Sequence, residues 1–201
     1  MATNFMPMMI EDIPSKELER KKVDKSTYNN DWYQPGSKIK RILWFLISPI
    51  FINNHFFPIT SVKVWILKAF GAKIGRKLTL KPGVNIKYPW FLEVGDYVGI
   101  GENVWIDNLA KVSIGNQVSI SQGAYLLTGN HDYTSPTFDL MIKGIELEDG
   151  VWIGAKSIVG PGVKAHSHAV LGAGSVLTQD MEAYTIYFGN PAKKIKERVI
   201  R

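Results

Sequence analysis

The segment LLTGNHDYTSP, residues 126–136, places a histidine beside a carboxylate and several hydroxyls, and His131 is the side chain best suited to acid–base chemistry. Imidazole has an ordinary pKa of about 6.5, so at neutral pH it is mostly free base and can accept a proton from an alcohol. Asp132 follows it directly, and Asp107 and Asn108 occupy an earlier irregular stretch. The other histidine pair, His166 and His168 in AHSHA, alternates, so both rings point to one side of a strand or corner. That pair invites a zinc reading, but zinc needs three or four converging ligands. Surface corner residues are therefore expected there, and no metal. Cysteine is absent, which removes disulfides, thiolate metal sites and a cysteine nucleophile and fits a reducing cytoplasm. No GxxxxGK(S/T) phosphate loop occurs, and GAGS belongs to a six-residue period rather than a dinucleotide fingerprint, so kinase and dehydrogenase chemistry is set aside.

What must position His131 is a ladder. Aliphatic residues recur every six positions: Ile74, Leu80, Ile86; Val94, Ile100, Ile106; Ile114, Ile120, Leu126; then Leu147, Ile153, Val159, Ala165, Leu171 and Leu177. Four positions after most of them comes a second apolar or small residue, such as Val84, Val104, Ala124, Ser157 or Ser175, and glycine often follows the first. A period of six suits neither a helix nor a hairpin ladder. It is the signature of a parallel β-helix, in which six residues make one short strand and one corner, and three such units make a coil. The spacing departs from six after Ile86, Ile106 and Leu126, each time after the third rung of its coil. All three insertions must therefore stack on one edge of the column, with coils about 4.8 Å apart. Stability does not call for extra residues at a single corner, and loops of this length in a compact repeat usually carry function. The long insertion holds His131, the one before it Asp107 and Asn108, and the first Tyr88, Trp90 and Phe91, whose rings could stack on a sugar or pack between subunits.

The 201 residues are 45% apolar and 21% charged, the make-up of an ordinary globular chain. The formal charge of +6 is unevenly spread: residues 1–73 carry +5, residues 74–190 carry −3, and the last eleven carry +4. Basic ends suit a phosphorylated small molecule or anionic lipid. Nucleic acid ranks last, because the tail PAKKIKERVIR has no interleaved aromatics for base stacking. The opening residues contain acids and Pro14 where a secretion signal needs an apolar run. Residues 42–59 are the most apolar stretch, yet too short and too interrupted to span a bilayer, which takes about 20 residues. They are expected to form a helical cap over the end of the core, and preceded by KIKR they are a candidate for peripheral membrane contact. Asn190 as cap and Pro191 at the first helical position predict a short C-terminal helix. The organisation expected is a partly helical arm over 1–73, a β-helix over 74–182 with a long loop at 127–146, and a basic tail over 183–201.

Residues 74–201 resemble the hexapeptide-repeat acyltransferases through GNHDY, GVWIGAKSIVGPGV, LGAGSVLTQD and GNPAKKI. ISQGAYLLTGNHDY, with YQPGSKIKRILW and FGAKIG upstream, is similar to the sugar O-acetyltransferases of colanic-acid and exopolysaccharide biosynthesis. The resemblance implies a mainly β chain wound as a left-handed β-helix, a homotrimer with sites between subunits, acetyl-CoA as acyl donor, and a sugar or polysaccharide intermediate as acceptor. It implies His131 as general base and Asn108 as its catalytic partner, with Asp107 beside it toward the acceptor; Asp132, Tyr88 and Trp90 are expected toward the acceptor from their place on the same edge. The donor contacts it implies are Trp152, Ala155, Ala173, Thr178, Gln179, Lys193 and Lys196. The location expected is the cytoplasm, from the absence of cysteine, with residues 42–59 as the candidate contact to the inner face of the membrane. A zinc enzyme like the γ-type carbonic anhydrases and a non-catalytic trimeric scaffold are the competing readings.

Overall fold

The computed structural model describes residues 21–201, so the reading of the opening residues as no secretion signal lies largely outside it. From Lys73 the chain winds through three parallel sheets that form the faces of a prism. The first face stacks Lys73–Ile74, Leu92–Val94, Val112–Ile114, Ile145–Leu147 and Lys164–Ala165. The second stacks Thr79–Leu80, Gly99–Ile100, Ser119–Ile120, Trp152–Ile153, Val170–Leu171 and Thr185–Gly189. The third stacks Asn85–Ile86, Trp105–Asp107, Tyr125–Leu127, Ile158–Val159 and Val176–Leu177. This is the parallel β-helix expected from the period, consistent with the left hand that the resemblance implies.

Every predicted rung points inward. Leu80, Ile100, Ile120, Ile153 and Leu171 form one buried column, and Val84, Val104, Ala124, Ser157 and Ser175 fill the corners beside it. The register is in phase throughout, with Ile86 opposite Ile106 and Leu126 opposite Val159. Alternation along each two-residue strand sends one side chain to the core and its neighbour to the surface, so a core a few residues wide runs the length of the column. Glycine is obligatory where coils touch at a corner: a Cβ on Gly154 would lie 2.6 Å from the Ala173 nitrogen.

One corner is bolted by side chains. The Asp96 carboxylate accepts from the Arg76 backbone N–H at 2.7 Å, Asn116 from Asp96 N–H at 2.8 Å, and Asp149 from Asn116 N–H at 2.6 Å. The Arg76 guanidinium, followed by its backbone N–H, holds the Asp96 carboxyl below the usual carboxylate range. A carboxyl whose pKa is depressed by folding contributes stability that is complete above its unfolded pKa and fades as the pH falls through its folded value. The melting temperature should therefore drop as the pH is taken below about 4. Asp96→Asn, which keeps an acceptor oxygen but no charge, should show a smaller acid drop in a pH series of thermal melts; an unchanged pH slope in that variant would refute the assignment.

The open end of the column is closed by two helices, α1 (Lys38–Phe51) and α2 (Thr60–Ala69). Trp44 of α1 is 4% exposed and donates its indole N–H to the Ile86 carbonyl at 2.9 Å, tying the helix to the first coil. Ile52, Ile66 and Leu67 complete the seal. Lys63 of α2 is fully buried and reaches the Ile52 carbonyl at 3.4 Å, at the negative end of the α1 dipole. Of residues 42–59, expected as a helical cap, 42–51 lie in α1 while 52–59 are not helical, and only one side of α1 is used. Ile39, Ile42, Leu43, Phe45, Leu46 and Ile50 remain exposed.

The C-terminal helix expected from Asn190 and Pro191 is not formed. Instead Thr185–Gly189 adds to the second face and Ala192–Glu197 folds back antiparallel upon it. The physical reason is the bare edge of Val170–Leu171, whose backbone groups need partners at the end of the column; a strand supplies them and a helix does not.

Candidate active site

The three insertions stack on the edge between the third and first faces, as the spacing requires. The longest leaves Tyr125–Leu127 and forms a hairpin in which Gly129–His131 pairs antiparallel with Leu140–Ile142, His131 lying opposite Leu140. Gly129 opens this hairpin against Leu109, and a Cβ there would collide with the leucine side chain. Asp132 shapes the turn, accepting from the Thr134 backbone N–H at 2.9 Å and its hydroxyl at 2.5 Å; these bonds hold its carboxyl below the usual range. Both bonds fall on the same carboxylate oxygen, Oδ1.

Phe138, at φ +56°, lays its ring flat on His131, with centroids 4.5 Å apart and planes within 12°. Its carbonyl lies 2.9 Å from His131 Nδ1. A carbonyl can only accept, so Nδ1 carries the proton and Nε2 of the neutral ring is the unprotonated nitrogen. His131 is half-buried and lines a cavity of about 910 Å³ together with Tyr28, Tyr33, Arg41, Lys87 and Tyr88.

Asn108 is fully buried and does not face this cavity. Its amide oxygen accepts from Tyr88 N–H at 2.9 Å and its amide nitrogen donates to the Tyr88 carbonyl at 2.7 Å. Both ends of the amide thus hold the first insertion in place. Asp107 is also buried, with Lys87 Nζ 2.8 Å from one carboxylate oxygen and the Tyr125 hydroxyl donating to the other at 3.1 Å. Burial, then the Asp107 charge, pushes the Tyr125 hydroxyl up to about 12. Tyr88 does line the cavity. Trp90 stacks on Tyr88 at 5.1 Å but donates its indole N–H to Pro35 at 3.0 Å, so it packs the arm rather than presenting a face to substrate.

The third wall was not legible in the sequence. Residues 24–41 form a strap over the insertions: Asp24 N–H bonds Pro136 O at 2.9 Å, Lys25 Nζ sits 4.5 Å over the Phe138 ring, and Tyr28 lies 6.2 Å from the His131 ring. The Tyr33 hydroxyl donates to Leu109 O at 2.8 Å and is raised by burial and by Tyr88 and Asp107 nearby. Tyr28, Tyr33 and Arg41 therefore line the candidate site without having been singled out from the sequence; for Tyr33 and Arg41 the aromatic and basic pattern of YQPGSKIKR was the available signal.

The expected donor residues do not gather around His131. Ala155 and Ala173 stack on the edge between the second and third faces, joined by Gly174 N–H to Ala155 O at 2.8 Å. Trp152 is exposed on the second face, its indole N–H on Ser121 Oγ at 2.9 Å. Thr178 and Gln179 follow Val176–Leu177 on the His131 edge, further along the column. Lys193 and Lys196 lie on the last strand, where Lys194 between them is neutralised by Glu182 and Glu197 at 2.7 and 2.9 Å. At the remaining edge, His166 Nδ1 lies 3.2 Å from Glu148, and His168 stacks on Tyr184 at 4.7 Å. Among the described residues, no three His, Asp or Glu side chains converge to hold a metal ion.

No protein-family model matches the chain. It is 34% identical over 167 residues to the colanic acid biosynthesis acetyltransferase WcaF of Escherichia coli, covering 83% of this chain and 92% of that one. It is 27% identical over 135 residues to the galactoside O-acetyltransferase of the same species, covering 66% of each. A hexapeptide-repeat acetyltransferase from Vibrio cholerae, solved with acetyl coenzyme A, superposes with a TM-score of 0.74 at 22% identity, over 81% of this chain and 89% of that one. A six-residue β-helix with a histidine hairpin on its loop-bearing edge defines the class. The chain belongs to the hexapeptide-repeat acetyltransferase family.

Proposed function

We propose that this protein is an acetyl-CoA-dependent O-acetyltransferase that acetylates a hydroxyl of a sugar or exopolysaccharide intermediate, with His131 as general base. The observation that carries the reading is the bond between His131 Nδ1 and the Phe138 carbonyl, which leaves Nε2 as the basic nitrogen beside a polar cavity. The acceptor hydroxyl gives its proton to Nε2 as its oxygen attacks the thioester carbonyl. The tetrahedral intermediate collapses, the C–S bond breaks, and the departing thiolate takes the proton from the imidazolium. No acyl-enzyme is needed, because the thioester is already activated. With the Asn108 amide committed to Tyr88, backbone N–H groups are the remaining donors for the oxyanion. WcaF and the galactoside enzyme, both named acetyltransferases, and the Vibrio structure with its bound donor support this reading.

The same reading makes the protein a homotrimer. His131 and the Ala155–Ala173 ridge stand on different edges of one prism, so donor and base meet when a second copy brings its ridge to this hairpin. The third face offers an adhesive surface for it: Trp105 and Tyr125 stack at 4.9 Å on its outside, with Trp105 44% exposed. The absence of cysteine and the exposed apolar side of α1 support work in the cytoplasm, at the inner face of a membrane. Among the described residues no helix is long and apolar enough to cross one. Thiol release from acetyl-CoA should depend on added sugars or polysaccharide repeat units, and light scattering should give three times the chain mass of 22.6 kDa. Donor turnover that no acceptor in such a panel stimulates, or an active monomer, would refute this account.

A further inference from the structure

Asp24 starts a short 3-10 turn on the strap, Lys25–Thr27, and its carboxylate accepts from the Ser26 backbone N–H at 3.0 Å and the Ser26 hydroxyl at 2.6 Å. Its own N–H bonds Pro136 O at 2.9 Å, on the tip of the His131 hairpin. A residue placed between a capped turn and that bond has little freedom to leave the hairpin. Lys25 is that residue, and its ammonium lies 4.5 Å from the centroid of the Phe138 ring. Among the described residues no carboxylate pairs with Lys25, so the face of the aromatic ring is what its charge meets.

Phe138 needs such support. Its φ of +56° lies in a backbone region that disfavours any residue with a Cβ, and a bulky one most. Within the turn its N–H donates to Ser135 O at 3.1 Å, and from the strap the Lys25 charge holds its ring. The same residue sets the chemistry of His131. Its ring lies flat on the imidazole at 4.5 Å, and its carbonyl accepts from Nδ1 at 2.9 Å. An imidazole without that carbonyl divides its proton between two nitrogens, and a protonated Nε2 on a neutral ring is a donor and no base.

We propose that Lys25 is a positioning residue for the general base: from the strap it seats the Phe138 ring, which keeps the Phe138 carbonyl on His131 Nδ1 and leaves Nε2 open to the acceptor hydroxyl. This rests on the proposed role of His131 and adds to it a residue of the N-terminal arm.

The test uses the full-length protein with Lys25→Gln, Lys25→Arg, Phe138→Leu, and Lys25→Gln combined with Phe138→Leu. Lys25 is exposed and the hairpin stands outside the column, so none of these changes opens the core. Two quantities are read: steady-state acetyl transfer, and the tautomer of His131 from its imidazole nitrogen NMR shifts, assigned by their loss in His131→Ala. Lys25→Gln should lower kcat about two- to fivefold, the worth of one exposed cation–π contact, leave both KM values near those of the parent, and raise the share of the Nε2–H tautomer. Lys25→Arg keeps a cation over the ring and should restore both readouts. Phe138→Leu keeps the backbone but removes the aromatic face, so adding Lys25→Gln to it should change neither readout further. An unchanged kcat or an unchanged tautomer ratio in Lys25→Gln would overturn the proposal. So would a raised acetyl-CoA KM at parent kcat, which would make Lys25 a donor contact, or an undiminished effect of Lys25→Gln in the Phe138→Leu background. Failure of the transferase reading is separate: the parent then transfers no acetyl group, while the tautomer ratio still reads whether Lys25 holds Phe138 on His131.

Discussion

Replacing His131 with alanine should lower kcat by about 10²–10⁴-fold, the contribution of a positioned general base, and leave the fold intact. The ring is half-buried on a hairpin outside the column, and its packing partners are Phe138 and, at 6.2 Å, Tyr28. Removing it opens no hole in the core, so circular dichroism and the thermal midpoint should stay close to those of the parent. KM for acetyl-CoA should stay near the parent value, because the expected donor contacts are made by residues other than His131, on the ridge of Ala155 and Ala173. A variant with near-parent kcat would end the assignment, and one with raised donor KM and unchanged kcat would move His131 from proton transfer to donor binding.

The second large effect concerns Asn108→Ala, and it separates two roles. In this structure the amide makes both of its protein contacts with the Tyr88 backbone. Deleting it leaves a backbone N–H and a carbonyl without partners in a partly buried wall, at about 1–3 kcal/mol for each group. A fall in stability of about 2–6 kcal/mol is expected, with a raised acceptor KM as the Tyr88 wall loosens and a smaller loss in kcat. A donor to the oxyanion would behave in the opposite way, losing about 10²–10³ in kcat with little change in stability. Asn108→Asp sharpens the comparison. It keeps an acceptor for the Tyr88 N–H but sets a carboxylate against the Tyr88 carbonyl, beside the buried Asp107, and should be at least as unstable as the alanine variant. Chemical denaturation together with steady-state kinetics reads both quantities.

Residues that act through neighbours in register were open to inspection from the chain alone. Ile86, Ile106 and Leu126 announce their stacking because each coil repeats the same contact about one coil later, and a repeated contact leaves a repeated residue. The breaks in that period placed the hairpin of His131 on one edge with Tyr88 and Asp107. The use made of Asn108 was not open in the same way. An asparagine suits an oxyanion, an acceptor hydroxyl and a backbone clamp equally well, and its burial and its two bonds to Tyr88 became visible only in the folded chain. Trp90 is a similar case, since an exposed platform and a packed indole have the same spelling.

The tail and the arm show where local reading ends. PAKKIKER satisfies helix-start preferences, yet the unpaired edge of Val170–Leu171 supplies hydrogen-bond partners to a strand, and those outweigh propensities of a few tenths of a kcal/mol per residue. Residues 24–41 carry no period at all, and their place over the hairpin is decided by single contacts such as Tyr33 with Leu109 and Trp90 with Pro35. What the amino-acid order determined by itself is the column, its register and the edge on which His131 stands, because a six-residue repeat encodes neighbours at constant separation. The tertiary structure alone decided which groups wall the cavity and which nitrogen of His131 is unprotonated, because those contacts join segments with no fixed spacing between them.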